Sequence, residues 1–446
     1  HSMLDQISST KQKLDEAISQ LCTISWMFTK DPSRDFTRKR KLSFCDVISA
    51  LLCMEGGTLS SELFRHFGYG AQTASVSAFI QQRSKIHHSA FSTLFQFFVQ
   101  NTDRALLYKG YRLLAADGSD IQIPTNPQHP TSYFPGANEQ SPYNLLHINA
   151  LYDLLQHTYL DVTADGHRAS NEVQDLCKMV DRSAIPTALV IADRGYEAYN
   201  LMAHIQEKRW KFLIRIKDIH SAGGMTASFD LPSDGEFDVF IPLSLTYRAT
   251  NSVKQLLKDK NHYKLLSPVA NPFDFLPRKN RKHDPVLFYE LPFRIVRFQI
   301  TENAYETVVT NLDADNFPPL ELKKLYAMRW GVETSFRALK HTVGLIHFHA
   351  KKVENIYQEI FARLIMYNFS VLITSHVRIP EANRKLPSKA NFSVAVHICR
   401  QFLRGNISPP DVEANIRKNL SPSRTGRSSP RKRSIKKSVS FTYRVA

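Results

Sequence analysis

Residues 111–218 carry the pattern that most narrows the fold. "YRLLAADGSDIQIP" reads as a strand with a turn, and "LLHINALYDLLQHTYLDVTADG" as a hairpin turning near Gln156-His157. "SNEVQDLCKMVDR" follows as a helix capped by Ser170 or Asn171. "TALVIADRGYEAYNLMAHIQEK" is then a buried strand running into a helix, and "WKFLIRIKD" a further strand. Three strands, then helix, strand, helix, strand, specify an α/β domain built on a mixed sheet flanked by helices.

The 446-residue chain has room for about three domains of roughly 150 residues each. Residues 1–3 read as a tag scar. Residues 4–105 are helical, as in "KLSFCDVISALLCMEGGTLSSELFRHFG", and form either a small DNA-binding module or a plain helical cap. The α/β core occupies 106–218 and resumes over 301–380 from "YETVVTNL". Between them, 219–300 has scattered prolines and short aromatic strands such as "PFRIVRFQIT", the mark of an inserted β-rich domain. Residues 381–446 include "SPSRTGRSSPRKRSIKK", which holds basic residues, no acidic one and little apolar surface to order it.

Charge narrows the partner. Fifty-eight Lys and Arg oppose 41 Asp and Glu, a formal net charge of +17, which favours a polyanion. No apolar run approaches a membrane-spanning helix and no secretory signal is present, so a nucleic acid is favoured over a membrane surface. The five cysteines are odd in number and form no C-x-x-C pair, which points to a reducing cytosol and away from a cysteine zinc site.

The chemistry lies in three carboxylates. Asp117 in "LLAADGSD" and Asp193 in "LVIADRGY" each follow an apolar strand and precede a glycine, so each is expected where the chain leaves the sheet. Asp is common at such turns for local hydrogen bonding alone. The third comes from "YAMRWGVETSFRALK", whose Tyr326, Arg329, Glu333 and Lys340 fall within an arc of roughly 60° on a helix. The apolar face (Leu325, Met328, Val332, Phe336, Leu339, Val343) is centred roughly 80–90° away, placing Glu333 at the core margin. A carboxylate there needs a cation, either Arg329 one turn away or a metal ion. Three carboxylates suit two Mg2+ or Mn2+ ions, which prefer oxygen ligands.

The Y-x2-R-x3-E-x6-K spacing resembles the signature of the IS-four group of bacterial insertion-sequence DDE transposases. "ADGSDIQIP" and "ADRGY" resemble the segments carrying that family's two catalytic aspartates, and "SAFIQQRSKI" and "FHAKKVENIYQEIFARLIMYNF" are also similar. The resemblance implies an RNase H-like core interrupted by a β-rich insertion. It also implies metal-dependent cleavage at transposon ends, strand transfer into target DNA, a cut-and-paste route that can pass through a hairpin, and a homodimer holding two ends in a bacterial cytoplasm at the nucleoid. Asp117, Asp193 and Glu333 would be catalytic metal ligands, and Tyr326, Arg329 and Lys340 would contact the transposon end. A decayed or domesticated DNA-binding relative, and a nuclease or resolvase that does not join strands, are the competing functions.

Other residues receive blander expectations. Asp120 is the alternative ligand to Asp117, Asp153 and Asp161 suit turn or surface roles, and His347 and His349 suit structural ones. Arg215 and Lys217 alternate with apolar neighbours, so they project from one strand face and can reach DNA. Residues 219–300 contain no Trp to stack a flipped base, leaving Phe or Tyr for that task, while Trp330 is expected in the core.

Overall fold

The computed structural model describes residues 3–136, 141–270, 272–277, 285–302, 304–379 and 388–422. Residues His1 and Ser2 and the basic tail lie outside this range, except for the tail's first two residues, Ser421 and Pro422.

Five helices open the chain: α1 (Met3–Thr23), α2 (Phe44–Cys53), α3 (Leu59–Phe67), α4 (Val76–Arg83) and α5 (Ser89–Thr102). Local chemistry sets their starts. Ser43 and Asp46 form a reciprocal capping box on α2, and Thr58 and Ser75 cap α3 and α4. Cys22 and Cys45 join α1 to α2 through a disulfide, a bridge of which the odd cysteine count gave no sign. Cys53, Cys177 and Cys399 are buried thiols.

The core alternates strands and helices: β1 (Arg112–Ile123), β2 (Tyr133–Phe134), β3 (Tyr143–Asp153), β4 (Thr158–Gly166), α6 (Glu172–Arg182), β5 (Ala188–Ala192), α7 (Tyr199–Glu207) and β6 (Lys211–Ile216). Antiparallel β4-β3-β1 continues into parallel β1-β5-β6, the strand arrangement of an RNase H-like sheet. The strands read as continuous apolar runs because helices bury both faces. Leu113 and Ala115 face a core shared with α1–α5 and the C-terminal helices, whereas Leu114 and Ala116 face one shared with α6 and α7.

The region expected as a separate insertion does not fold apart. Its strands β7 (Phe237–Thr246), β8 (Tyr263–Leu265) and β9 (Tyr289–Thr301), with the short α8 (Asn251–Leu256), extend the same sheet through β10 (Ala304–Thr310). The link is β10, which pairs antiparallel with β6 on one side and β9 on the other, making ten strands among the described residues. Arg294 and Arg297 of β9 are buried and pair with Asp238 and Asp218, which compensates their desolvation.

The chain then enters α9 (Pro319–Met328), α10 (Trp330–Arg337) and a π-helical turn (Ala338–Val343). The long, buried α11 (Val353–His376) follows, then α12 (Phe392–Leu403) and α13 (Pro409–Lys418), flanked by the paired strands β11 (Ser388–Ala390) and β12 (Leu420–Pro422). Residues 388–422 are therefore folded onto the body, with Ala395, Val396, Cys399 and Phe402 in the main core. Among the described residues no helix is long and apolar enough to cross a membrane.

Candidate active site

Strand register brings the two aspartates together. β1 and β5 pair in parallel as far as Ala116 opposite Ala192, so Asp117 and Asp193 are the next residue on each strand. Asp117 was expected where the chain turns out of the sheet; instead β1 runs on to Ile123, paired with β3. What ends at Asp117 is its β5 neighbour, whose pairing with β1 stops at Ala192. Asp193 caps the short 3-10 turn Arg194–Tyr196, accepting from the Gly195 amide at 2.8 Å. Both continue the alternation of Leu113/Ala115 and Leu189/Ile191, whose side is the one covered by α10.

The third carboxylate comes from that helix. Val332 and Phe336 anchor α10 in the core, and Glu333 lies between them at the margin, as its angle to the apolar face requires. Arg329, at the junction of α9 and α10, donates from Nη2 to Glu333 Oε1 at 2.7 Å and brings Nη1 within 4.0 Å of Asp117 Oδ2. Burial raises the Asp117 carboxyl to about 6; Arg329 opposes the rise, and the charges of Asp193 and Glu333 add to it. The three acids thus feel one another, with one buried guanidinium among them.

A cleft of about 240 Å³ is lined by Asp193, Arg194, Arg215, Arg329, Trp330 and Glu333. A larger hollow of about 760 Å³ lies between the α7–β6 connection and β9, and none of the candidate residues lines it. Arg215 reaches the cleft from β6 and pairs with Glu306 at 3.3 Å. Lys217 is not brought in: it follows the end of β6, and its ammonium reaches the Ala222 carbonyl. Lys340 donates to the Asp120 carbonyl at 2.7 Å, and burial lowers its pKa. Its π-helical turn shifts it from the phase a regular helix would give. Tyr326 is only 4 % exposed and packs against the Arg329 guanidinium, 5.6 Å from ring centre to carbon.

Trp330 corrects one expectation. Read as core, it is 54 % exposed and forms part of the cleft wall, with the Arg329 guanidinium 5.5 Å from its ring. The other secondary residues keep their structural roles. Asp153 binds Arg112 and caps the β3–β4 turn, Asp161 grips Arg182 with both oxygens, and His349 bridges Glu359 and the Gly57 carbonyl. Asp120 turns away from Asp117 toward His147 and His167.

Sequence reasoning missed Arg194, Glu306 and Glu172. Arg194 was signalled only by its place directly after Asp193. Glu172 is the first residue of α6, behind the Asn171 cap, and had no visible link to the aspartates. The need for glycine after Asp117 is steric: a Cβ at position 118 would overlap Glu172 Oε1 and lie 2.6 Å from His147 Nε2.

The donor set fits a divalent cation. Asp117, Asp193 and Glu333 present oxygens, the ligands that Mg2+ and Mn2+ prefer, and their mutual repulsion is what a cation relieves. They are not drawn into a tight cluster. Among the described residues, the trio whose ligand atoms all lie within 4.8 Å of one another is Asp120, His147 and His167.

Comparison with known proteins adds a family. Residues 108–369, more than half of the chain and spanning all three acids, match the family model described as a transposase DDE domain. No curated protein matches the chain in sequence. Among solved structures, a piggyBac transposase in a synaptic complex with hairpin DNA aligns at 12% identity, covering 95% of this chain and 84% of that one, with a TM-score of 0.41. That likeness is too slight to bear on function.

Proposed function

The chain belongs to the DDE-domain transposase family and is accordingly a DDE-type transposase, and we propose that it binds transposon ends, cleaves them and joins the freed 3′-hydroxyls to target DNA by a cut-and-paste route. The Y-x2-R-x3-E-x6-K spacing supports placing it in the IS-four group. The single observation that carries this reading is the β1–β5 register, which sets Asp117 beside Asp193 under the helix bearing Glu333.

In this reading Asp117, Asp193 and Glu333 hold two Mg2+ or Mn2+ ions. When bound, such ions activate an attacking oxygen and stabilise the leaving oxygen of a phosphodiester. The protein's own groups do the positioning. Arg329 offsets the charges of Glu333 and Asp117, and its Nε, buried without a hydrogen-bond partner among the described residues, offers a donor to a phosphate oxygen. Tyr326 packs beneath that guanidinium and fixes its plane. Arg194 and Arg215 line the cleft walls and would guide the DNA backbone, Lys217 would meet it further out, and Lys340 would contact the end beside Asp120. Trp330 supplies the exposed aromatic face that residues 219–300 lack in Trp, so a hairpin route has a stacking surface.

Away from the cleft, Arg38, Lys39, Arg40 and Lys41 form an exposed basic run between α1 and α2. This supports a DNA-binding role for residues 4–105; a homodimer that holds two ends together rests on the family resemblance alone.

The test is a product assay on DNA carrying the inverted repeats that border the gene, with Mg2+ or Mn2+. Strand cleavage followed by joining to target DNA is expected. Cleavage without joining would make the protein a nuclease, and binding without cleavage would make it a DNA-binding relative.

A further inference from the structure

Three neighbouring strands place a second set of ligands beside the carboxylate site. Asp120 of β1 lies directly opposite His147 of β3, and His167 follows the last residue of β4, its amide donating to the Leu145 carbonyl at 3.0 Å. On β4 the partner of His147 is Asp165, so His167 sits two residues further along on the same face and reaches Asp120 diagonally across β3. Both imidazoles turn Nδ1 to the same carboxylate oxygen, Asp120 Oδ1, at 2.9 Å from His147 and 2.8 Å from His167. His147 is buried, whereas Asp120 and His167 are about half open to solvent.

The opposite nitrogen of His147 completes the pattern. Its Nε2 lies 3.0 Å from Glu172 Oε1 at the start of α6, at ion-pair distance but not aligned as a hydrogen bond. A carboxylate behind a histidine is the arrangement that fixes ring orientation in metal-bound imidazoles. Gly118 leaves the space this pair needs, since a Cβ would overlap both atoms.

We propose that Asp120, His147 and His167 form a binding site for a divalent transition ion of the Zn2+ class, separate from the Asp117–Asp193–Glu333 site, with Glu172 orienting His147. Two imidazoles and one carboxylate favour such an ion over Mg2+, which selects oxygen alone. Ligand atoms about 3.4 Å apart suit tetrahedral bonds of roughly 2.0–2.2 Å. The two nitrogens lie 2.9 and 2.8 Å from Asp120 Oδ1, and all three ligand atoms fall within 4.8 Å of one another. The solvent side of the cluster, where Asp120 and His167 are exposed, leaves a fourth position for water. The ion would also hold the strand segment whose Asp120 carbonyl receives Lys340.

The test measures Zn2+ bound per chain after dialysis, and the visible spectrum of Co2+ in its place, on the full-length protein. One equivalent is expected in the wild type and in Glu333→Gln, with the intense absorption of four-coordinate Co2+ bound through nitrogen. His167→Ala, at an exposed position, and the isosteric Asp120→Asn are each expected to weaken binding at least tenfold without changing the circular dichroism. Glu172→Gln is expected to weaken it about 10-fold or more. Absence of bound Zn2+ in the wild type overturns the proposal. So does binding that survives His167→Ala and Asp120→Asn, or that is lost in Glu333→Gln.

Discussion

Arg329 donates to Glu333 at 2.7 Å, one helical turn further along the chain. On a solvated helix such a pair contributes only ~0.2–0.5 kcal/mol. Here Arg329 is buried and its second nitrogen stands 4.0 Å from Asp117, so the guanidinium offsets the charge of two acids from different parts of the fold. This joins the helix to the sheet at the point where chemistry is proposed.

Removing that guanidinium has a definite electrostatic sign. Burial raises the Asp117 carboxyl to about 6 while Arg329 opposes the rise. In Arg329→Gln the opposing charge is gone, so Asp117 should titrate above 6 in the metal-free protein. Carboxyl NMR of the protein labelled at aspartate checks this, and end cleavage in the same variant should fall at least tenfold.

Trp330 is exposed in the cleft, so its ring is free to meet a base. Trp330→Ala should weaken binding of end DNA roughly 5- to 150-fold, the equivalent of ~1–3 kcal/mol for one stacked base. The melting temperature should barely change, because the ring buries little in the free protein. Fluorescence anisotropy with labelled ends and a thermal melt separate the two effects.

Arg83 of α4 and Glu359 of α11 form an ion pair at 2.8 Å, both side chains 2 % exposed. Burial would raise the Glu359 carboxyl, but Arg83, and then His349, bring it down to about 2. Its ordinary value is 4.5. The stability it contributes is therefore present above pH 4.5 and lost as pH falls toward 2. Arg83→Met would remove the ion-pair partner of a buried carboxylate and leave it the His349 contacts, and should cost about 3–5 kcal/mol, read by denaturant unfolding at neutral pH. Because the pair ties α4 to α11, loosening of residues 4–105 in hydrogen exchange should accompany the loss.

Two histidines set a milder acid limit. Burial pushes His66 and His376 from 6.5 down to about 4, so both are neutral in the folded state. The unfolded chain binds protons first as pH drops, and stability present above pH 6.5 is lost progressively toward pH 4. Melting temperature should fall across that window, and His376→Leu should flatten the slope.

Much of this was legible in the sequence, for physical reasons that also mark where legibility stopped. The apolar runs of β1, β5 and β6 announce strands buried on both faces, and their alternation carries Asp117 and Asp193 to one side of the sheet. Asn171 capping α6 follows from side-chain chemistry alone. Long-range pairing is not local. Nothing in 219–300 shows that β9 will dock on β10 and extend the core sheet, or that β1 will run past Gly118. Trp330 was misplaced because hydrophobicity suggests burial, whereas the packed face of α10 is already filled by Val332 and Phe336. The π-helical turn that re-aims Lys340 leaves no trace in residue spacing.

The central claim is that Asp117, Asp193 and Glu333 act as one metal-holding unit that cleaves DNA. Cleavage of inverted-repeat DNA with Mg2+ or Mn2+, compared between wild type and Glu333→Gln, tests it most directly. The substitution preserves size and the Arg329 contact but removes the charge. Cleavage should be abolished while binding of the same DNA persists. Cleavage by Glu333→Gln at the wild-type rate would contradict the account.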